Sequence, residues 1–267
     1  RSVPIAHIHG GERTEGAIDE SIRHSITKMS QLHFVSTEEY RRRVIQLGES
    51  PDRVFHVGAI GLDRIDWEKF SSKSDVAADL GIEHQRPWCT VTYHPVTTDP
   101  ESICTSVEAL IAAMESRLDL FFVITKANAD QGGRLVNRML QEYAERSVNA
   151  KIFVSLGSVR YLSCVAHSAL VLGNSSSAII EAPYLRTPSV DIGVRQQGRA
   201  RGGSVVTCEE AQQQILDAIR VALGLNGEAV YRSSPYYNGG AADSIISNLK
   251  SVEPVRAKFF HDVDFEL

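Results

Sequence analysis

An α/β fold built on parallel sheets is predicted by three features of this 267-residue chain. Strand-like apolar runs alternate with helix-like segments throughout, the connections between them are short, and several strands run into turns rich in Gly, Ser, Asn or His. The first strand runs from Val3 to His9, reads as buried, and enters the turn Gly10-Gly11. It is followed by a helix over 15–29, a strand over 32–36, a helix over 37–48 and a strand over 53–58. A polar, weakly patterned stretch at 68–76 then separates this series from a second one. That series runs through strand 88–93, helix 101–115, strand 120–125, helix 134–144, strand 151–155, helix 159–166 and strand 169–172. It continues with a helix after Ser175, strands 189–192 and 204–207 and helix 209–222. A turn-rich segment at 233–240 leads to a last helix over 242–249.

These patterns divide the chain into residues 1–75, the later part of a first Rossmann-like lobe, residues 76–230, a complete second one, and a tail over 231–267 whose helix returns to the first lobe. The chain opens at Arg1 without an initiator Met and enters a strand almost at once, so the first lobe is expected to lack its leading strands. A parallel sheet with a bare edge is expected to self-associate, and the 267 residues alone are expected to be poor catalysts.

Composition excludes several classes of partner. Lys plus Arg total 28 against 33 for Asp plus Glu, and the net charge of -5 gives no electrostatic reason to expect nucleic acid or an acidic membrane. No apolar run approaches the roughly 20 residues of a membrane helix. Cys89, Cys104, Cys164 and Cys208 are scattered, without C-x-x-C pairs, and read as reduced and buried in a cytoplasmic protein.

Open α/β sheets bind ligands at the carboxyl ends of their strands. There the sequence places Gly173-Asn174-Ser175-Ser176-Ser177, a turn whose N–H groups and hydroxyls suit a diphosphate, or serve only as a helix cap. Glu181 is expected about one and a half turns into the following helix, as an acceptor for ribose hydroxyls or as a solvated side chain. Arg195 and Arg199 bracket the next loop as phosphate-binding or merely solvated cations. His94-Pro95-Val96-Thr97-Thr98-Asp99 and Lys126-Ala127-Asn128-Ala129-Asp130 follow two further strands. In the first lobe, His7 and His9 are expected on one strand face, beside Glu12 and the helix residues Asp19, Glu20, Arg23 and His24. No metal site is expected from this set. Its acids and histidines suit division of proton removal and proton delivery, although Glu20 and His24 also fit a surface i, i+4 pair.

Taken together, His7-Ile8-His9-Gly10-Gly11-Glu12, Ala17-Ile18-Asp19-Glu20-Ser21-Ile22-Arg23-His24, the His94 motif, Gly173-Asn174-Ser175-Ser176 and Gly193-Val194-Arg195-Gln196-Gln197-Gly198-Arg199 occur in order along essentially the whole chain. The series resembles the hydrolysing UDP-N-acetylglucosamine 2-epimerases of sialic and legionaminic acid biosynthesis. No match is present to the Gly-Asp-Arg motif that this family carries early in its first lobe.

The resemblance implies a GT-B-like architecture of two doubly wound lobes facing a cleft, with UDP held mostly by the second. It implies contacts to the nucleotide or its phosphates from His94, Asn128, Tyr161, Ser175, Ser176, Glu181 and Arg195, with Tyr161 against the uracil. Catalytic candidates are Asp19, Glu12, His9 and His94. His9 resembles the hydrolysing branch, since non-hydrolysing relatives often carry Glu there. The implied reaction removes the C2 proton, expels UDP from C1 to give a 2-acetamidoglucal, and adds water with inverted C2 configuration. UDP and a free N-acetylmannosamine-type sugar result. No cofactor is implied, in line with the lack of a G-x-G-x-x-G fingerprint, and the implied partners are a UDP-sugar and further copies of the chain. A GT-B glycosyltransferase, a non-hydrolysing epimerase and a non-catalytic nucleotide-binding fragment remain as alternatives. The sugar is UDP-N-acetylglucosamine or a UDP-2,4-diacetamido-6-deoxy analogue.

Overall fold

The computed structural model describes residues 3–15, 19–83, 85–96, 102–129, 132–225, 233–253 and 257–263. Its strands form two wholly parallel sheets, as the alternating pattern predicts. The smaller sheet contains β1 (Ala6–Ile8), β2 (Leu32–Val35) and β3 (Val54–His56) in that order, joined through α1 (Asp19–Met29) and α2 (Glu38–Gln46). Thr37 caps α2 by accepting the Tyr40 N–H at 3.2 Å, which satisfies one of the free donors of the first turn.

The larger sheet has β4 (Trp88–Thr92), β5 (Phe121–Thr125), β6 (Ala150–Phe153), β7 (Ser168–Gly173), β8 (Ser189–Ile192) and β9 (Val205–Cys208). Their spatial order, β6-β5-β4-β7-β8-β9, reverses direction between β4 and β7, the doubly wound arrangement with its switch point there. β4 and β5 are buried along their full length because helices cover both faces of the sheet, which is why they read as continuous apolar runs. The covering helices are α3 (Lys73–Leu80), α4 (Ile103–Glu115), α5 (Gly133–Arg146), α6 (Gly157–His167), the short α7 (Glu181–Tyr184) and α8 (Gln212–Leu223). α8 buries Ile215, Ala218, Ile219 and Ala222, spaced as one helical face, against the core of Val91, Leu170, Leu172, Val190 and Ile192. The last helix, α9 (Ala241–Ser251), packs Ala241 and Ile245 on Phe34 and Val57 of the smaller sheet, and Asp63 accepts the N–H groups that open it.

Four sequence expectations need correction. β1 is an edge strand with Ile5 and Ile8 exposed, because only β2 pairs with it among the described residues. His7 and His9 do not share a strand face: the strand ends at Ile8, and His9 takes a left-handed backbone conformation, φ 65°. The polar stretch at 68–76 runs into α3, capped by Ser72, whose Val76, Ala77 and Leu80 pack with Trp88 and Phe121. We therefore place the division between lobes before Lys73 rather than at 75/76. All four cysteines are free, but Cys104 is exposed on α4 while only Cys89 and Cys164 are buried. No helix among the described residues is long and apolar enough to cross a membrane.

Candidate active site at the switch point

The loops at the carboxyl ends of the two sheets face each other across the GT-B-like cleft and touch through Arg199–Glu12 at 3.0 Å, Ala200 N–H to Tyr40 at 2.9 Å and Glu15 N–H to the Gln197 carbonyl at 3.1 Å. Gly173 passes so close to β4 that a Cβ there would lie 2.0 Å from the Thr92 carbonyl oxygen, so no other residue fits. Asn174, wholly buried, then locks the switch point. Its Oδ1 accepts the His94 N–H at 2.7 Å, and its Nδ2 donates to the His94 carbonyl at 2.8 Å. Its own carbonyl accepts from Gln196 at 2.9 Å and from Arg195 at 3.2 Å. One asparagine thus ties the β4, β7 and β8 turns together. The sequence motif contained it, but only its buried pairing reveals the role.

Around this staple lie the expected nucleotide residues. His94 is half-buried, and its Nδ1 accepts the Asn128 N–H at 3.2 Å, which leaves the proton of the neutral ring on Nε2. Tyr161 donates to Ser177 at 3.0 Å, and burial raises its phenol pKa. With Thr92, Lys126, Gly157, Ser175 and Ser177 it lines a cavity of about 210 Å³ over the ends of β4, β5 and β6. Ser175 and Ser176 sit in a 3₁₀ turn, with the Ser175 hydroxyl accepting the Ser177 N–H. This turn corrects the expectation of a continuous helix after Ser175. Glu181 instead opens a separate four-residue helix, which Pro183 and the left-handed Arg186 keep short. Its carboxyl is half-buried, burial raises its pKa, and its Oε2 has no hydrogen-bond partner among the described residues. An unsatisfied buried carboxylate oxygen is costly, and its persistence beside a cleft fits an acceptor that waits for ligand hydroxyls.

Across the cleft, the acid and histidine set is tightly wired. Glu12 is 3% exposed and accepts from His9 Nδ1 at 2.7 Å, from the Ser36 hydroxyl at 3.0 Å and from Arg199 at 3.0 Å. Burial pushes its carboxyl up, but the His9 hydrogen bond and the Arg199 charge outweigh burial and hold it at about 2. Glu12 is therefore ionised and fully engaged. His9, with a third of its side chain exposed, presents Nε2 as the available ring nitrogen of this dyad. Arg23 braces the turn from below, donating to the Glu12 carbonyl at 3.1 Å and the Thr14 hydroxyl at 2.6 Å. Glu20 accepts the Thr14 N–H at 2.6 Å and pairs with His24 at 3.1 Å, so it anchors the turn rather than lying idle on the helix surface. Asp19 is the exposed first residue of α1. Of the sequence motifs, Ala17, Ile18, Thr97, Thr98, Asp99 and Asp130 lie outside the described residues. Sequence reasoning missed Ser36, the pairing of Tyr161 with Ser177 and the pairing of Arg199 with Glu12, all of which join residues distant in the chain.

A family model described as UDP-N-acetylglucosamine 2-epimerase matches residues 1–250. A GDP/UDP-N,N'-diacetylbacillosamine 2-epimerase (hydrolyzing) of Campylobacter jejuni is 41% identical over 208 residues, which are 78% of this chain and 54% of that protein. The UDP-N,N'-diacetylbacillosamine 2-epimerase (hydrolyzing) of Legionella pneumophila is 34% identical over 252 residues, 94% of this chain and 65% of that one. The chain thus spans about half to two thirds of the length of these relatives. Among solved structures, the UDP-GlcNAc 2-epimerase of Neisseria meningitidis bound to UDP-GlcNAc superposes with a TM-score of 0.75 at 18% identity, covering 93% of this chain and 70% of that one. That likeness carries the GT-B-like fold. With the family model covering nearly the whole chain, the protein belongs to the UDP-N-acetylglucosamine 2-epimerase family.

Proposed function

We propose that the cleft belongs to a hydrolysing 2-epimerase that converts UDP-N-acetylglucosamine, or a UDP-2,4-diacetamido-6-deoxy sugar, to UDP and the free 2-epimer. The observation that carries this reading is the His9–Glu12 dyad, tied through Arg199 to the loop whose Arg195 and Gln196 hold the Asn174 carbonyl of the switch-point turn. It is supported by the two relatives above, both named as hydrolysing enzymes. In this reading Tyr161 lies against the uracil, Glu181 accepts the ribose hydroxyls, and Ser175, Ser176, Asn128 and Arg195 receive the diphosphate beside His94. N–H groups and a guanidinium at that turn stabilise the negative charge that develops on the departing UDP. The C2–H and C1–O bonds break in the first stage. The proton passes to a basic group, and the electron pair of the C1–O bond leaves with UDP. In the second stage water supplies OH to C1 and a proton returns to C2 from the opposite face.

Two groups on opposite faces of the sugar are required. His9 Nε2, oriented through Nδ1 by ionised Glu12, is suited to one of these transfers, and Asp19, exposed at the cleft end of α1, is the candidate for the other. Glu12 itself, held at about 2 by its partners, acts on the ring rather than on substrate. The test is incubation of the intact protein with each UDP-sugar in deuterated water, followed by mass analysis. Free UDP with a 2-epimerised sugar carrying one deuterium at C2 is the expected outcome. Release of UDP-linked epimer would overturn the hydrolytic reading, and release of UDP only when an acceptor sugar is added would favour a glycosyltransferase.

A further inference from the structure

Arg199 is placed by sequence position in a loop suited to phosphate, yet the structure turns it away to the opposite wall of the cleft. The loop from Gly193 to Arg201 is held from both sides to keep it there. Buried Asp191 accepts from Arg201 at 2.8 and 3.2 Å, and Arg201 in turn donates to the carbonyls of Gln196 at 2.9 Å and Arg199 at 3.3 Å. On the other side, the Ala200 N–H donates to Tyr40 of α2 at 2.9 Å, and the Glu15 N–H donates to the Gln197 carbonyl at 3.1 Å. Gly198 approaches so closely that a Cβ would meet that of Arg13 at 2.8 Å. The backbone on each side of Arg199 is thereby pinned, and its guanidinium, 10% exposed, meets Glu12 Oε2 at 3.0 Å.

We propose that Arg199 is a positioning residue that acts through Glu12 on His9. This rests on the function proposed above and deepens it: one loop carries Arg195 to the diphosphate turn and Arg199 to the acid–base dyad, so the leaving-group site and the proton-transfer site share a rigid connector. Glu12 Oε1 holds His9 and Ser36, while Arg199 engages the other oxygen. The guanidinium therefore fixes the rotation of the carboxylate, and the carboxylate fixes the ring. The Arg199 Nε has no partner among the described residues, so the fork is only partly used and a direct phosphate contact is the rival role to be tested. Among the described residues, the other charged and titratable groups around Glu12 are His7 of β1, Arg23 from α1, Tyr40 from α2 and Tyr236 from the segment before α9. His7 and Glu181 flank His9.

Arg199→Met and Arg199→Lys in the intact protein separate the roles. In the methionine variant we expect UDP affinity, measured by calorimetry, to stay within about threefold of the unsubstituted protein while kcat falls at least tenfold at unchanged KM. Without its cation, buried Glu12 titrates higher, so the acid limb of this variant's activity should move to higher pH than that of the unsubstituted protein. The lysine variant should regain part of kcat and move that limb back. A parallel collapse of UDP affinity would make Arg199 a phosphate ligand and overturn the proposal, as would an unchanged kcat. If the unsubstituted protein turns over no UDP-sugar, the proposed function fails, and carbon NMR titration of the Glu12 carboxyl decides the inference by itself. An upward displacement in Arg199→Met upholds the coupling, and an unmoved titration overturns it.

Discussion

At the scale of single residues, the site is defined by which polar atoms are satisfied and which are not. Glu12 is saturated, whereas Glu181 keeps one oxygen without a partner among the described residues in a half-buried setting. A raised carboxylate pKa has a definite stability consequence. The native state binds the proton more tightly than the unfolded chain, so ionised Glu181 costs stability above the ordinary glutamate value of 4.5, and the cost disappears as pH falls below it. Glu181→Gln should therefore melt at or above the temperature of the unsubstituted protein at pH 8, with the difference vanishing at acid pH. Its UDP affinity should fall by about 1.5–3 kcal/mol, the worth of hydrogen bonds to a charged acceptor. Calorimetry and thermal unfolding across pH check both arms, and a variant that binds UDP normally would remove Glu181 from the nucleotide site. The local sequence made part of this site legible. His9 and Glu12 are near enough for their chain spacing to suggest contact, and Ser175 sits at a strand end. The Arg199–Glu12 pair was not legible, because it depends on the two sheets meeting, and the sequence left Glu181 between a ribose acceptor and a solvated side chain, because its surroundings include residues distant in the chain such as Arg64, Arg199 and His9.

At the scale of elements, apolar patterning located most strands and helices because the larger sheet is covered on both faces and each covering helix buries one stripe. The pattern failed where cover was absent or local chemistry intervened, at the exposed edge strand β1 and at the interrupted helix after Ser175. The segment around Lys258 carries no such pattern, yet it is an anchor. Lys258 donates to the carbonyls of Thr27, Lys28 and Ser30 at the end of α1 and reaches Glu49, which also accepts from His33 of β2 at 2.9 Å. A cation at a helix carboxyl end is favourable, since it satisfies free carbonyls and opposes the helix dipole. Burial lowers the His33 pKa to about 4 despite the Glu49 carboxylate, so the contact is a neutral imidazole donating to a carboxylate above that pH. Relative to the ordinary histidine value of 6.5, the stability of this cluster is whole above pH 6.5 and is lost progressively towards pH 4, by about 3 kcal/mol. His33→Gln retains a donor without the titration. It should narrow the loss of unfolding free energy between pH 7 and pH 4.5, and an undiminished loss would assign the acid sensitivity to other groups.

At the scale of the whole molecule, a closed ring of hydrogen bonds through two wholly buried tyrosines joins the two sheets. The Ala200 N–H donates to the Tyr40 hydroxyl at 2.9 Å, and the Tyr236 hydroxyl donates to the Ala200 carbonyl at 3.0 Å. Each tyrosine has one hydroxyl proton, so the remaining bond, 2.9 Å between the two hydroxyls, runs from Tyr40 to Tyr236. Both rings are wholly buried, and burial raises both phenol pKa values, so the ring stays neutral across the working range. Tyr40 belongs to α2, Tyr236 to the segment leading to α9, and Ala200 to the loop that carries Arg199, so the ring closes the cleft-side connection of the two sheets. Tyr40→Phe leaves the Ala200 N–H unsatisfied, Tyr236→Phe leaves its carbonyl so, and each alone also breaks the bond between the hydroxyls. Each should cost about 1–3 kcal/mol of unfolding free energy, since a buried polar group is left without its partner. Because the shared bond is lost in either single variant, the double variant should cost less than the sum of the two. The shortfall should be about 0.5–1.5 kcal/mol, the net worth of one hydrogen bond. Denaturant unfolding of the four proteins measures this coupling directly. Strict additivity would mean that the hydroxyls act independently and that the lobes are held together elsewhere, by the apolar cluster that joins Val44, Val54 and Leu62 to Leu162, Val165 and Ile179, by the Glu12–Arg199 ion pair and by the Glu15–Gln197 backbone contact.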